Sequence, residues 1–217
     1  MERFAGIAAA LAVVAACSSP AYAQPAGRFS VAGTVDYTRI TDDESLLGSG
    51  IGAGGALGWR LTDATGVEIE VSRTRHVRDL GLFAVAHDAQ GRLEPVPYTE
   101  RWEGTATFVI ASVAHTFGSG PVRPVVWGGG GFMTHGGTER GPKVAPQAPP
   151  GFTLQPGDGE TRRGPGTNAA AVDGGLGVDI RVAPRVTLRP FAGLRLANTQ
   201  NVGPKYLVRT GVRVEFR

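Results

Sequence analysis

The chain has 217 residues, a formal net charge of +3 and one cysteine. Its lysine and arginine residues form no run interleaved with aromatic residues, so the sequence gives no indication of nucleic-acid binding. A single cysteine cannot form an intramolecular disulfide, and downstream of the leader no thiolate is left for a metal site. We therefore expect neither a cofactor nor a metal.

The N-terminal residues have the pattern of an export signal. A charged start precedes an unbroken run of apolar or small side chains at residues 4–16. Residues 21–23, Ala-Tyr-Ala, then match the small-x-small pattern of a signal-peptidase site. The apolar run is too short to cross a bilayer as a helix. We expect a signal peptide at residues 1–23 and one mature domain at residues 24–217.

A second interpretation of the leader stays open. Residues 14–17 are similar to a bacterial lipoprotein lipobox and end at Cys17, the only cysteine of the chain. Lipidation there would make Cys17 the first mature residue and anchor the protein by acyl chains. We expect cleavage after Ala23, because the alanine site matches its pattern well. Either route takes the chain out of the cytoplasm.

The remainder of the chain divides into eight segments in which apolar and polar residues alternate. Successive side chains of a strand point to opposite faces, so this alternation predicts strands with two different faces. Each segment is long enough to cross a membrane at a tilt. The fourth has apolar or small residues on both faces, which leaves its register open. The segments lie at residues 28–40, 50–61, 66–76, 101–117, 122–135, 169–182, 185–197 and 206–217.

The last segment has the clearest pattern. One set of alternate positions is apolar and carries an aromatic residue near each end, Tyr206 and Phe216. The other set carries Arg209, Arg213 and Glu215. A membrane barrel needs this combination, because its outside meets lipid while its interior is polar.

The connections differ in length in a regular way. Those after the second, fourth and sixth segments are short, at residues 62–66, 118–121 and 183–184, whereas residues 77–100 and 136–168 form long links. We predict an all-β fold, an eight-stranded antiparallel up-and-down transmembrane β-barrel with short periplasmic turns and longer extracellular loops. A soluble lipocalin-like barrel is the alternative on strand pattern alone.

The two long links have different compositions. The first reads as a hairpin that extends beyond the membrane and turns at residues 88–91. The second is rich in proline and glycine, which predicts a mobile segment without a packed core.

The polar faces of the clear strands predict a charged lumen with as many acids as bases. An eight-stranded barrel is just wide enough for side chains to fill, and charges in such a space must be paired. The balance predicts a plugged interior, and a proton or small-solute path is the alternative. The predicted lumen charge network consists of Asp36, Arg60, Glu68, Glu70, Asp173, Asp179, Arg181, Arg189, Arg195, Arg209, Arg213 and Glu215.

Arg73 and Arg75 share the apolar face of the third segment, at its outer end. A charge costs much less near the membrane interface than at the bilayer centre. We therefore expect these side chains to meet lipopolysaccharide phosphates. Ordinary solvation at the rim is the alternative.

Catalysis has little support in the sequence. A nucleophile needs a base within hydrogen-bond reach. His115 and Ser112 differ by an odd number of residues and fall on opposite faces, and His76 and Ser72 lie about 13 Å apart along one strand. We expect no enzymatic activity and no metal site.

Several segments resemble bacterial outer-membrane β-barrel proteins of the small OmpA/OmpX/OmpW-like group, among them residues 54–62, 66–71 and 175–191. The resemblance implies an integral protein of the outer membrane that contacts its lipid. It also implies recognition of a C-terminal aromatic residue by the barrel-assembly machinery, although Arg217 here follows Phe216.

Two classes of function are consistent with that resemblance. The first is a non-enzymatic barrel with a structural or surface-interaction role, whose extracellular partner the sequence does not name. The second is a small-ligand binding or transport barrel, as OmpW-like relatives are thought to be. A lipid-modifying barrel enzyme is a further alternative.

Overall fold

The computed structural model describes residues 29–40, 48–155, 160–199 and 203–217. The predicted signal peptide and Cys17 lie outside these residues, so the processing of the leader stays a prediction. In the described parts of the chain, no helix is long and apolar enough to cross a membrane.

Ten strands run through the described residues, and eight of them are long. The long strands follow the alternation seen in the sequence, with buried and exposed residues taking turns along most of their length. The strands are β1 (Phe29–Ile40), β2 (Ser49–Arg60), β3 (Thr65–His87), β4 (Leu93–Thr116), β5 (Val122–Val144), β6 (Thr153–Leu154), β7 (Arg162–Arg163), β8 (Thr167–Ala183), β9 (Val186–Thr199) and β10 (Gly203–Phe216).

The eight long strands close into a barrel. Every neighbouring pair is antiparallel, the order is β2-β1-β10-β9-β8-β5-β4-β3, and β2 pairs with β3 to complete the ring. A path from Ser30 through successive strand partners returns to β1 at Ile40, ten positions further along. A stagger of this kind tilts the strands by about 35–45°. The predicted eight-stranded up-and-down barrel is confirmed.

The outer surface of the barrel is apolar. Its large side chains are exposed, and they include Val31, Val35, Ile51, Leu57, Ile69, Val109, Leu176, Leu194, Val208 and Val212. Exposed aromatic residues frame this belt, with Phe29, Trp59, Phe117 and Phe216 at the inner end and Tyr37, Phe132 and Tyr206 at the outer end. Girdles of this kind mark the two interfaces of a transmembrane β-barrel.

The height of the belt fits a bilayer. Tyr206 and Phe216 are ten residues apart on β10, which corresponds to about 25 Å along the barrel axis at a tilt of about 40°. The apolar band of outer-membrane barrels is about 25 Å tall. A soluble barrel has no reason to expose such a band, so the outside of this barrel is a surface for lipid.

The structure shows which residues of β4 face the lumen, a point that its sequence left open. Phe108 and Ile110 point into the barrel, where each is 1% exposed, and Val109 lies on the lipid face. Both faces of this strand are apolar because one meets lipid and the other packs inside the lumen.

Three strands extend well beyond the membrane. β3 and β4 stay paired as far as His87 opposite Leu93, so the predicted long loop is in fact a short turn at the tip of long strands. The Asp88 carboxylate accepts the backbone N–H of Arg92 at 2.8 Å, and Gly91 has a φ of 78° that favours glycine. The predicted hairpin is confirmed, but its turn is tighter and its strands are longer. We call the outer parts of β3, β4 and β5, with β6 and β7, the outer sheet.

Residues 145–155 of the proline-rich segment after β5 pack against the outer sheet, which corrects the expectation that this segment has no packed core. Residues 145–155, here called the strap, lay Phe152 and Leu154 against the buried Ala84 and Ala86 of β3. β6 also pairs with the end of β3. Composition did not predict this packing, because β3 and β4 supply most of the apolar surface and the strap needs only a few apolar residues to cover it.

Candidate functional site: the lumen and the outer rim

The middle of the lumen holds a cross-barrel ion cluster. Arg209 donates hydrogen bonds to Asp36 at 2.6 Å, to Asp173 at 3.1 Å and to Glu70 at 3.1 Å. Arg195 reaches Glu70 at 3.0 Å and Asp173 at 3.4 Å. These five residues, which we call the central cluster, come from β1, β3, β8, β9 and β10. Their side chains converge because inward positions on all sides of a narrow barrel share one space.

Aromatic rings flank the two arginines of the central cluster. The guanidinium of Arg195 lies 4.2 Å from the ring centroid of Phe108, and that of Arg209 lies 5.5 Å from that of Phe191. Arg195 also donates to the Ser72 hydroxyl at 3.1 Å. Hydrogen bonds in the guanidinium plane and rings on its face together offset the loss of water.

A second cluster lies at the inner end of the barrel. Asp179 pairs with Arg189 at 2.6 Å and with Arg123 at 3.7 Å, and Glu215 pairs with Arg217 at 2.7 Å. Arg189 also reaches Glu215 at 3.6 Å, and Arg217 reaches Asp179 at 3.8 Å. The side chain of Arg217 therefore turns into the barrel, and Phe216 is left on the lipid face.

A bidentate pair lies between the two clusters. Arg213 donates to both oxygens of Glu68, at 2.8 and 2.6 Å. Two parallel hydrogen bonds fix the orientation of both groups and make this geometry one of the stronger ion pairs in proteins.

The structure brings most of the predicted lumen charges together, with one correction. Arg60 faces the inner end of the lumen, where it lines the cavity near Glu215 and donates to the carbonyl of Asp63 at 2.9 Å. Arg181 is exposed at the inner end of β8, where water solvates its charge. Arg123 and Arg217 join the network, so the described ion pairs connect six acids to six bases.

Arg217 and Arg123 differ in whether the sequence indicated their inward position. Arg217 belongs to the charged alternate set of β10, so its parity indicated an inward side chain. Arg123 starts a strand whose alternate positions are apolar on both faces, and no local signal placed it inside.

Two small cavities lie beside the charged residues of the lumen. One cavity beside the central cluster measures about 20 Å³ and another near the inner end about 30 Å³. Cavities of this size hold a water or two and no larger solute. Glycines on β2 make the dense filling possible, because a Cβ at Gly52 would strike the Asp36 carboxylate and one at Gly58 would lie 2.5 Å from the Ser30 hydroxyl.

An apolar layer covers the central cluster on its outer side. One inward position beyond Asp173, Arg195 and Arg209, the same strands carry Ala171, Ala197 and Leu207. The sequence did not predict this layer, because its largest side chains, Phe108 and Ile110, lie on β4, where both faces are apolar or small. The layer consists of Ala106, Phe108, Ile110, Met133, Ala169, Ala171, Ala197 and Leu207.

The serines and histidines considered for catalysis make other contacts. Ser112 donates to Glu68 at 3.3 Å, and His115 is hydrogen-bonded to Thr65 at 2.9 Å. Ser72 accepts from Arg195, and His76 lies fully buried further out on the same strand. Within the described ranges, no group of three or more His, Cys, Asp or Glu side chains is arranged to hold a metal ion.

Arg73 and Arg75 lie on the outward face of β3, directly beyond its apolar residues, and both are exposed. Arg75 pairs with Glu103 of β4 at 2.6 Å. On β3, the lipid-facing side thus changes from apolar to charged between Val71 and Arg73.

Ion pairs continue along the outer sheet. Asp79 accepts hydrogen bonds from Arg101 at 2.8 Å and from Lys143 at 2.5 Å. These hydrogen bonds hold the pKa of Asp79 well below its ordinary value of 3.8. The three strands of the outer sheet are therefore connected by charge as well as by backbone pairing.

No protein-family model matches the chain, and no curated protein sequence matches it. Solved structures resemble its fold. Neisserial surface protein A is 13% identical, with a TM-score of 0.49 over 87% of this chain and 96% of that one. Ail of Yersinia pestis is 11% identical, with a TM-score of 0.48 over 88% and 99%. E. coli outer membrane protein W is 17% identical, with a TM-score of 0.42 over 88% and 98%. In fold, the chain is similar to small outer-membrane β-barrels.

Proposed function

We propose that this protein is a non-enzymatic, integral β-barrel of the bacterial outer membrane, with a plugged interior and a structural or surface-interaction role. One observation carries the proposal. Six carboxylates and six guanidinium groups pair across a lumen whose cavities near them are no larger than a water or two. The apolar belt and its girdles support a place in the membrane.

A solute path through this lumen would have to break buried ion pairs. Arg209 alone joins three carboxylates, and separating a buried pair costs about 3–5 kcal/mol. The apolar layer adds a second barrier, because an ion would lose its water there without gaining a partner. Both features favour the plugged interior over the alternative of a small-ligand transport barrel.

Single-channel recording in planar bilayers tests this proposal. The wild-type protein is expected to insert without steady openings. Heat-modifiable migration of the same preparation serves as the control that the barrel is folded. Steady openings from folded protein would overturn the plugged interior and favour transport.

The absence of enzymatic activity is part of the proposal. The hydroxyl of Ser112 is engaged by Glu68 and that of Ser72 by Arg195, so neither serine has a histidine as its hydrogen-bond partner. An activity screen of the folded protein against phospholipid and lipopolysaccharide substrates checks this, and turnover above that of a heat-unfolded sample would contradict it.

Export and assembly belong to the same proposal. We infer that the signal peptide is removed after Ala23 and that the barrel-assembly machinery recognises Phe216, which remains outward-facing and 54% exposed beside the inward Arg217. The mass of the protein purified from outer membranes distinguishes this route from lipidation at Cys17. Loss of membrane insertion in Phe216→Ala, with insertion retained in Phe117→Ala, tests the role of the last aromatic residue.

We also infer that Arg73 and Arg75 contact lipopolysaccharide phosphates. Their exposed position at the outer edge of the belt supports this, because lipid phosphates lie at that height. Retention of lipopolysaccharide during purification should fall in the Arg73→Ala/Arg75→Ala variant. Unchanged retention, at the level of the Arg92→Ala/Arg185→Ala variant with equal charge loss, would contradict the contact.

A further inference from the structure

A polar groove of about 700 Å³ opens on the outer sheet, directly beyond the lipid belt. Arg75 stands at its membrane end, and its floor follows β4 and β5 outward through Glu103 and Gly141. Thr161 and Gly164 lie on its far side. We call this feature the rim groove. Its volume is that of a site for a small molecule or a sugar head group.

Basic side chains from four strands line the rim groove. Arg75 of β3, Arg101 of β4, Lys143 of β5 and Arg163 of β7 outnumber the lining acids Glu103 and Glu139. The four bases are 66%, 40%, 45% and 80% exposed, so an incoming ligand can reach each of them. With Asp79, which pairs with Arg101 and Lys143 from beside the groove, four bases face three acids, which leaves an excess of one positive charge at the membrane surface.

The wall of the groove is a built part of the fold. β7 pairs with β5 through Glu139 opposite Arg163, and the backbone N–H of Gly164 donates to Thr138 at 2.7 Å. Gly137 has a φ of 90°, and a Cβ there would lie 2.6 Å from the carbonyl of Gly164. Only glycine allows both the positive φ and the close approach, so Gly137 lets the far side of the groove lie against the sheet.

We propose that the rim groove binds a phosphorylated saccharide. Arginine binds phosphate in a bidentate manner, and the hydroxyls of Thr105, Thr138 and Thr161 can hydrogen-bond sugar hydroxyls. The existing ion pairs of the groove are exposed, and exposed pairs contribute little, so a phosphate displaces their carboxylates at low cost. The sugar is either the head group of a lipid in the outer leaflet or a free saccharide, and the two share this chemistry.

The assignment rests on the proposed function, because the groove meets the membrane surface only if the belt lies in the outer membrane with the outer sheet facing out. Folded protein in zwitterionic micelles is titrated with N-acetylglucosamine 1-phosphate and with N-acetylglucosamine. We expect binding of the phosphorylated sugar alone, weakened at high salt. The Lys143→Gln/Arg163→Gln variant should bind about tenfold more weakly.

The Arg92→Gln/Arg185→Gln variant is the matched control, since it removes equal charge at the hairpin tip and at an inner turn. Equal affinity of the two variants, or no binding by folded wild-type protein, would overturn the proposal. Wild-type protein that fails to migrate as a heat-modifiable barrel would instead count against the proposed function.

A second arm identifies the source of the sugar. Wild-type and variant proteins are reconstituted into liposomes with and without lipopolysaccharide, and exchange of the free sugar is measured in both. If lipopolysaccharide blocks binding of the free sugar to wild-type protein, the groove binds the lipid head group. Undiminished binding of the free sugar assigns a soluble saccharide, and either result supports the site.

Discussion

The central cluster and the outer sheet contain the same kind of ion pair in two different environments. Arg209 and Asp36 are 2.6 Å apart with side chains 3% and 4% exposed, whereas Arg101 and Asp79 are 2.8 Å apart with side chains 40% and 34% exposed. The distances are nearly equal, but the two ion pairs differ in how much each group depends on its partner. In the lumen both groups have lost their water, and each depends on the other for compensation. On the outer sheet, water solvates a charged group whose ion-pair partner is removed.

The difference explains why the two regions tolerate charge imbalance so differently. The lumen joins six acids to six bases among the described residues, because a buried charge left over would cost more than the fold gains elsewhere. The rim groove carries an excess of bases without such a cost. On the outer sheet a base can exchange its partner for a ligand without leaving a buried charge behind.

The largest expected effect comes from removing the hub of the central cluster. Arg209→Ala leaves Asp36 without its 2.6 Å partner and weakens the neutralisation of Glu70 and Asp173. We expect the free energy of unfolding to fall by about 3–5 kcal/mol, measured by urea titration in micelles. Arg101→Ala should cost only a small fraction of that, because exposed ion pairs contribute little, and an equal loss in both variants would contradict the distinction between the regions.

A smaller loss is expected from the apolar layer. Phe108→Ala removes a side chain that is 1% exposed and stacks on Arg195. The resulting cavity should cost about 3 kcal/mol. Phe132→Ala makes the same change on the lipid face, where lipid fills the space, and should cost much less. Similar unfolding midpoints for the two variants would show that the layer is loosely packed.

A local effect is expected in the strap. Phe152→Ala removes an apolar anchor from the cluster around Ala84 and Ala86. It should expose residues 145–155 to protease and cost about 1–2 kcal/mol within the outer sheet, without changing heat-modifiable migration of the barrel. Phe83→Ala, at a side chain 71% exposed, is the control. Protease resistance equal to wild type would mean that Phe152 does not hold the strap.

The smallest effect is a response to acid confined to the outer sheet. The pKa of Asp79 in the folded protein is below its ordinary value of 3.8, because Arg101 and Lys143 donate to it. Its ion pairs therefore contribute stability above that value and are lost only as the pH falls through the lower folded-state pKa. Amide resonances of residues 79 and 101 should stay constant from pH 7 to about pH 4. A shift centred at the ordinary value of 3.8 or above would contradict the depressed pKa.

Strand alternation made the barrel predictable. Where one face of a strand is charged and the other apolar, as on β10, parity fixes the inward side chains, and Arg209 and Arg213 follow from it. Where both faces are apolar, as on β4, parity gives no answer. The apolar layer and the inward position of Arg123 were therefore outside the reach of the pattern.

The outer sheet was less predictable for a different reason. Its extent depends on contacts between distant segments, such as Phe152 of the strap against Ala86 of β3. Composition alone predicted that the strap is unpacked, because local sequence does not show which distant apolar surface a segment will contact. The rim groove has the same origin, because its wall forms only when β7 pairs with β5.

The bond between Arg209 and Asp36 also has a consequence for how the barrel forms. These residues are 173 positions apart in sequence and lie on β10 and β1, the two strands that meet where the ring closes. Until that seam closes, the last strand holds a cation whose partner on the first strand is missing. Closure of the ring and the pairing of Asp36 are thus one event, which disfavours half-open intermediates and makes folding of the ring cooperative.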